Sequence, residues 1–378
     1  MPNVAGAIET IESHLHPEPS YDVEQHPMPT GREEIWRFSP IRTLKPLLAT
    51  GAALGSLDWS GDTPEGVEFT TITPEQARAL AVEPPVDRIS AIAAERTGRA
   101  VHLKVPAELE LDEPIVYLAT GRGEQAAETF VAEFGPYSKA TVVLRFQGSA
   151  QYSCKYDFRI GDGAQVNLVY VNDWAGDTIH GGQISVEVGR DARVRTVQAS
   201  MGGKAIRIAE RARYAGPGGQ LEQFGLYFVN EGQDVEHRMF VDHNAPQTTS
   251  NVDYRGALQG KGAHSVWIGD VLIRKVALDI DTYESNKNLL LSEGCQADSV
   301  PNLEIETGEI EGAGHAAATG RFDDEQLFYL MARGIPEKEA RRLVVRGFFA
   351  ELIQQIDVPE IREHLFESIE NELERSMN

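Results

Sequence analysis

The sequence has little cysteine and few basic residues for its length. Its 378 residues include only two cysteines, Cys154 and Cys295, too few for a disulfide framework and typical of a reducing cytosol. Lysine and arginine together number 35 against 58 acidic residues, and the formal net charge of −23 argues against binding to nucleic-acid phosphates. We therefore expect a cytoplasmic protein that does not bind nucleic acid.

Long apolar segments are also missing. Runs such as Val142–Leu144 and Leu289–Leu291 fall far short of the roughly 18 apolar residues that a membrane span needs. The first residues lack the basic and apolar regions of a secretory signal. With 41% hydrophobic and 25% charged residues, the composition indicates a folded globular chain, and we expect no membrane segment.

The signatures of several enzyme classes are absent from the sequence. It has neither a Gly-x-x-x-x-Gly-Lys-Ser/Thr phosphate loop nor a Gly-x-Ser-x-Gly nucleophile elbow. Asp279 begins a segment that resembles a calcium loop, but Glu284 and Leu290 occupy the positions that need glycine and glutamate. No His-Glu-x-x-His or Cys-x-x-Cys pair provides a preformed zinc site. We expect a protein that is not an enzyme and has no catalytic residues.

Three regions differ in their residue patterns. Residues 1–98 mix proline-rich loops with helical stretches, and we predict a mostly helical region with helices beginning at Pro74 and covering Arg88–Arg96. Residues 99–320 change to the periodicity of short strands. Residues 321–378 return to helical periodicity, which predicts a separate C-terminal helical domain.

The strand-rich region carries a recurring turn phrase that contains glycine. A small residue occupies its fourth position, at intervals of 28, 27, 44 and 34 residues: Ala164, Ala192, Gly219, Ala263 and Ala297. Glycine-containing turns followed by strands, without intervening helices, are typical of a stacked solenoid. A two-sheet antiparallel sandwich is the competing interpretation. The repetition favours a mainly-β fold with a β-helix core over residues 99–320.

Three helices are predicted after Gly320. Asp323 is a candidate N-cap of the first helix, Gly334 ends it, and Pro336 begins the second. The second helix places four apolar residues on one face: Leu343, Val344, Phe348 and Leu352. The third begins near Pro359 and carries an apolar stripe: Ile361, Leu365, Ile369 and Leu373. Such a stripe packs on its own domain or receives a partner, and the sequence leaves both possibilities open.

Two residues combine suitable chemistry with a suitable setting for metal binding. Cys295 follows Gly294 in a predicted turn, and His315 lies in a run of glycine and alanine. Thiolate and imidazole are ligands that iron and iron–sulfur clusters accept. The alternative is a buried small hydrophobe for Cys295 and a hydrogen-bonded side chain for His315. For Cys154, inside a strand-like run, the structural interpretation is stronger.

Several segments in the second half of the sequence resemble the SufB/SufD family. They are Asn286–Ser292, Ala297–Ile305, His315–Leu330 and Arg333–Ile335. The surroundings of Trp36 are similar to the N-terminal region of SufD-type members. The resemblance is densest from about residue 250 to residue 355, which makes a chance match improbable.

The resemblance implies a right-handed parallel β-helix flanked by helical parts. It further implies a role in iron–sulfur cluster assembly, with SufB as the partner and a transient cluster shared where the two β-helices meet. The C-terminal helices are implied to dock the ATPase SufC, and an isolated chain could pair with itself. A reduced flavin is sometimes associated with this complex, but no flavin motif is present here.

The SufD branch fits better than the SufB branch. In SufB-type chains a functional glutamate follows the histidine aligned with His315, whereas Ala316 follows it here. In SufD-type chains the histidine itself is the functional residue. Cys295 departs from this assignment, because it occupies the place where SufB-type chains keep a cysteine. We expect His315 and Cys295 to be iron or cluster ligands at the SufB interface.

Two other functions compete with a cluster scaffold. A β-helical enzyme acting on polysaccharide would need converging carboxylates, and Asp279, Asp281 and Glu284 form the one tight acidic group suited to this. A chain that only stabilises SufB would need no ligand of its own. It would therefore tolerate replacement of His315.

Overall fold

The N-terminal part of the chain combines short helices with two strands. The computed structural model describes residues 17–322 and 324–375. The helices here are the 3-10 segments Val23–Gln25, Glu34–Trp36 and Lys45–Leu48 and the α-helices α1 (Ile41–Leu44), α2 (Pro74–Leu80) and α3 (Arg88–Arg96). The strands, which the sequence analysis did not anticipate, are β1 (Asp58–Gly61) and β2 (Glu68–Ile72).

Helices α2 and α3 occupy the predicted positions because each has a strong N-terminal cap. The Thr73 side chain accepts a hydrogen bond from the backbone N–H of Gln76, and the Gln76 side chain accepts one from the backbone N–H of Thr73. Asp87 and Ser90 form the same reciprocal pair at the start of α3. Such capping boxes satisfy backbone donors that lack a partner within the helix.

Fourteen strands make up the rest of the sheet. They are β3 (Ala100–Val105), β4 (Ile115–Phe134), β5 (Lys139–Ile160), β6 (Gln165–Trp174), β7 (Ile179–Val188), β8 (Arg193–Gly202), β9 (Ala205–Tyr214), β10 (Gln220–Val229), β11 (Asp234–His243), β12 (Thr249–Leu258), β13 (His264–Ile273), β14 (Asp281–Leu290), β15 (Gln296–Ile305) and β16 (Gly312–Arg321).

These strands form a parallel β-solenoid of about eight turns. Each strand from β7 onward pairs with the second strand before it, so even-numbered strands form one ladder and odd-numbered strands the other. The long strand β5 contributes its first half to one ladder and its second half to the other. Because all pairing between coils is parallel, the β-helix prediction is confirmed and the antiparallel sandwich is wrong.

The repeat is more regular than the turn phrases suggested. Register partners at the start of the even-numbered strands lie 28, 27, 29, 32 and 31 residues apart: Gln165, Arg193, Gln220, Thr249, Asp281 and Gly312. Ala263 precedes β13 and Ala297 lies within β15, so both belong to the odd-numbered ladder. The interval of 44 residues therefore came from combining turns at two different corners, whereas the interval of 34 joins two positions of the odd-numbered ladder that are not register partners.

Aromatic side chains fill the interior by lying over glycines in the neighbouring coil. Tyr227 is the register partner of Gly256, and Tyr254 is the register partner of Gly225. Both tyrosines are fully buried. A Cβ atom at either glycine would overlap the ring opposite it. Glycine is required at these two strand positions for close packing rather than for a turn.

The first prediction concerns this packing. Gly256→Ala should lower the free energy of unfolding by about 1–3 kcal/mol, because the added methyl overlaps the Tyr227 ring. Gly308→Ala is the matched control, since a Cβ there meets no atom within 4 Å. Urea denaturation of the three proteins measures the effect. Equal midpoints for the two variants would contradict this account.

Three C-terminal helices pack against the outer face of the even-numbered ladder. They are α4 (Asp324–Ala332), α5 (Glu337–Ile353) and α6 (Pro359–Arg375). The apolar stripe predicted on α6 is buried together with residues of the sheet, such as Val197 and Phe224. The stripe therefore packs on its own chain. No helix in the described ranges is long and apolar enough to cross a membrane.

The predicted apolar face of α5 is partly wrong. Leu352 is buried as predicted, and Val344 and Phe348 are partly buried, but Leu343 is 43% exposed. Val345 and Phe349 instead carry much of the buried surface, because the face of α5 that meets the sheet and the neighbouring helices is turned relative to the predicted one. The proposed N-cap at Asp323 lies outside the described residues.

A buried ion cluster holds the N-terminal region on the odd-numbered ladder. The Arg207 guanidinium forms ion pairs with Asp87 and with Glu236. It also lies 4.0 Å from the centre of the Trp36 ring. Removal of either carboxylate would leave Arg207 partly uncompensated in a low-dielectric setting. Trp36 is itself buried in a small apolar cluster with Leu44 and Ile89.

Candidate functional site

The two ends of the solenoid differ in whether other strands of the chain form hydrogen bonds with the backbone of the terminal coil. At the first end, β1 pairs with β4, and β3 lies between β2 and β4. At the other end, β15 and β16 terminate the two ladders, and no further strand covers them within residues 17–322 and 324–375. Unpaired edges invite pairing with another chain. The last coil is therefore the candidate functional site.

His315 lies in β16, the final strand of the even-numbered ladder. Its register partner is Glu284 in β14, and register partners in neighbouring strands face the same side of a sheet. The preceding pair, Tyr283 and Gly314, faces outward, since the Tyr283 ring is 47% exposed and lies close to Gly314. His315 and Glu284 therefore face the interior, where the open end leaves His315 exposed.

Glu284 is buried without a hydrogen-bonding partner. The residue is 1% exposed, and neither carboxylate oxygen makes a hydrogen bond within the described part of the chain. Burial, followed by the nearby Asp270 carboxylate, raises the pKa of Glu284 to about 8, and the backbone N–H of Asn302 opposes this only in part. A Cβ at Gly269 would overlap the carboxylate, so the glycine provides the space that it occupies.

The sequence analysis had placed Glu284 in an acidic cluster with Asp279 and Asp281. The structure separates them, because Asp279 and Asp281 are exposed at the corner before β14 whereas Glu284 points inward. The three carboxylates therefore do not converge on one surface. The pattern lacks the paired carboxylates that hydrolysis of a glycosidic bond needs.

Cys295 lies immediately before β15, at the corner next to the C-terminal helices. Its thiol is 3.4 Å from the Gly260 carbonyl oxygen and 3.5 Å from the Ser292 hydroxyl. The side chain is half-buried against the main core. Gly260 and Ser292 also line a cavity of about 1000 Å³ between this corner and helices α5 and α6.

The structure does not bring Cys295 and His315 together. Cys295 lies at the corner between β14 and β15, whereas His315 is near the opposite corner, between β15 and β16. Most of a ten-residue strand separates them, which corresponds to roughly 20 Å at about 3.3 Å per residue. Among the described side chains, no group of three or more histidines, cysteines, aspartates or glutamates could hold a metal ion. A complete site at His315 needs ligands from elsewhere.

Cys154 is part of the core. Its sulfur is 3.6 Å from Nε2 of His180, and Trp174 donates a hydrogen bond of 3.2 Å to Nδ1 of the same ring. His180 therefore carries its proton on Nε2, directed at the sulfur. Burial lowers the pKa of His180 to about 3 and raises the pKa of the Cys154 thiol. A neutral, buried thiol agrees with the structural role predicted for Cys154.

The solenoid interior contains polar groups that the sequence analysis missed. The buried Glu210 carboxylate accepts hydrogen bonds from Thr196, Gln198 and Gln223, at 2.6, 3.2 and 2.7 Å respectively. His237 lies between the rings of Tyr227 and Tyr254 without a hydrogen bond among the residues described. Polar residues recur at alternate positions of the strands, and this pattern could have predicted a polar interior. It becomes interpretable only when the face of each strand that points inward is known.

The second prediction concerns His237 and pH. Burial lowers its pKa from 6.5 to about 3, so between these values the unfolded chain binds a proton that the folded chain does not. The contribution of His237 to the free energy of unfolding is therefore complete above pH 6.5. It decreases as the pH falls toward 3, by at most about 1.4 kcal/mol per pH unit, because the unfolded chain gains the proton.

His237→Phe keeps a ring of similar size and removes this titration. The variant should gain stability relative to the wild type as the pH falls, which urea denaturation between pH 7 and pH 4 would measure. Parallel stability profiles for the two proteins would show that His237 does not contribute.

The fold and its open end define a parallel β-solenoid protein whose last coil presents a histidine to solvent. Residues 117–348 match the family described as SUF system FeS cluster assembly, SufBD core domain. The chain belongs to this SufBD family.

Relatives over nearly the full length support the same assignment. An iron–sulfur cluster assembly SufBD family protein of Mycobacterium tuberculosis is 45% identical, covering 99% of this chain and 96% of the relative. Its counterpart in Mycobacterium leprae is 43% identical, covering 94% and 93% of the two chains. The iron–sulfur cluster assembly protein SufD of Bacillus subtilis is 24% identical, covering 76% of this chain and 67% of that protein.

Proposed function

We propose that this chain is a SufD-type scaffold subunit that pairs with a SufB chain through the last coil of its solenoid. The observation that carries the proposal is that both ladders end in unpaired strands, β15 and β16, at the coil that contains His315. A partner strand added to each edge would satisfy the free backbone groups. The subunit acts by binding rather than catalysis, in the cytoplasm.

Absence of a glutamate after His315 supports the SufD type. Ala316 occupies that position, and SufD of Bacillus subtilis is among the more distant relatives. The full-length relatives carry only the SufBD family name, so the assignment to SufD is our proposal.

His315 is the proposed ligand of this chain at the shared interface. Its imidazole faces the open end of the interior and has small neighbours, Ala313 and Ala317, on the same face of β16. Imidazole binds iron well, but one ring cannot hold a cluster, which generally needs about four ligands. Iron and cluster are cargo here, and SufB would supply the remaining ligands. Cys295, at the other corner, has at most a secondary role.

Helices α4 and α5 form the proposed docking surface for the ATPase SufC. Their large apolar side chains remain accessible: Phe328 is 73%, Tyr329 55%, Met331 43% and Leu343 43% exposed. Such a group is larger than the scattered apolar residues of an ordinary surface. It lies on the helical part of the chain, apart from the β-edges assigned to SufB.

The third prediction tests the ligand role. His315→Ala should greatly reduce the iron and sulfide content of the reconstituted complex with SufB and SufC, because it removes the imidazole from the shared site. Complex formation should persist, since one exposed ring contributes little to a large interface. Iron and sulfide analysis together with size-exclusion chromatography measure both quantities.

Thr319→Ala, at another exposed position of β16, is the matched control and should leave cluster content unchanged. Cys295→Ser should have a smaller effect than His315→Ala. Loss of the complex in His315→Ala would favour a chain that only stabilises SufB. Normal cluster content in that variant would exclude His315 as a ligand.

The fourth prediction tests the docking surface. Replacing Phe328 and Tyr329 with alanine should abolish co-purification of the ATPase while the contact with SufB is retained. Tyr137→Ala, which removes a 65% exposed ring on a distant corner, is the control. Point substitutions are preferable to truncation after Gly320, because α5 and α6 cover buried residues of the sheet. Retained ATPase binding would refute the assignment.

A further inference from the structure

We propose that Glu284 is a second metal ligand of this chain, and that Glu284 and His315 together bind one ferrous ion at the open end of the solenoid. The inference rests on the function proposed above for His315. It extends that function by giving the isolated subunit its own iron site, which is incomplete until other ligands join it.

The register places the two side chains at a suitable spacing. Glu284 and His315 are direct partners in parallel strands, on the same inward face. Such residues lie roughly 4.8 Å apart at their backbones. An ion bound at about 2.0–2.2 Å from a carboxylate oxygen and a ring nitrogen fits between side chains at this spacing. No described side chain makes a hydrogen bond to either Glu284 oxygen, and the backbone N–H of Asn302 is the group that interacts with this carboxyl.

A comparison with Glu210 shows that Glu284 is unusual within this chain. Both carboxyl groups are buried in the solenoid interior, but Glu210 accepts three side-chain hydrogen bonds, whereas Glu284 accepts none from a described side chain and interacts only with the backbone N–H of Asn302. A buried carboxylate without a partner is costly. A cation would remove that cost, whereas the structure offers no guanidinium or ammonium group as a hydrogen-bonding partner of Glu284 in its described part.

The position of Glu284 along the solenoid is also informative. Successive register partners in its column are Thr196, Gln223, Val252, Glu284 and His315. The ionisable pair occurs only in the last two coils, where the interior opens to solvent and an ion can enter. If Glu284 and His315 only stabilised the fold, nothing would require them to lie at the open end of the solenoid.

The ligand types narrow the choice of ion, and the proposed function selects iron among the metals that remain. One carboxylate and one imidazole suit a divalent first-row metal such as iron(II), with water completing its coordination. Clusters are usually held by thiolates, and the thiol of Cys295 is too distant to join the pair. The site would therefore hold mononuclear ferrous iron before sulfide is added.

Cobalt(II) titration of the full-length chain tests the inference without depending on cluster formation. The visible absorption of bound cobalt reports occupancy, and anaerobic calorimetry with iron(II) checks the physiological ion. The wild type should bind about one ion per chain, and Glu284→Gln and His315→Ala should each weaken binding at least about tenfold. Glu309→Gln, at an exposed carboxylate of the preceding corner, should bind like the wild type.

Thermal denaturation without metal separates a ligand from a structural residue. Glu284→Gln keeps the size of the side chain, so it should leave the midpoint of the metal-free protein nearly unchanged, and it should abolish the rise caused by cobalt. Glu284→Val, which copies Val252 in the same column, is the second variant if the glutamine variant folds poorly.

Unchanged cobalt affinity in both Glu284 variants, with binding lost in His315→Ala, would overturn the role of Glu284 and leave that of His315 intact. Failure of the wild type to bind cobalt would overturn the iron site of the isolated subunit. The proposed scaffold function is decided separately, by cluster content of the complex with SufB.

Discussion

Hydrogen bonding between successive coils is the constraint on which the rest of this structure depends. Each coil pairs in parallel with the coil before and after it, so among the described strands of the two ladders a free edge occurs at the ends of the stack. The first coil is covered by β1 and β3 of the same chain. The last has no such cover within the described residues, which makes its edges the natural place for a partner.

The same stacking determines which side chains meet. Residues separated by one coil, about 30 positions apart in sequence, become direct neighbours on one face. This explains why tyrosines lie over glycines and why Glu284 lies beside His315. It also explains the separation of Cys295 from His315. The two residues lie near opposite corners of the last coil, and strand β15 spans the distance between these corners.

Membership of the SufBD family and the geometry of the last coil support each other. The family match spans residues 117–348, which include nearly the whole solenoid and helix α4. The helices outside the repeat cover the flank of the even-numbered ladder without blocking its final edge. The arrangement leaves two surfaces, an open β-edge and an apolar helical face, that can bind different partners at once.

Sequence patterns by themselves determined the solenoid core, the positions of helices α2 and α3, and the C-terminal helices, because these depend on local periodicity. The capping pairs of α2 and α3 emerged only from the structure. His315 was identified from its residue type, its glycine and alanine neighbours and the family resemblance. The tertiary structure decided the true coil length, the rotated face of α5, and the pairing of Glu284 with His315. These depend on register between coils and on packing between layers, and neither is encoded in any single stretch of the chain.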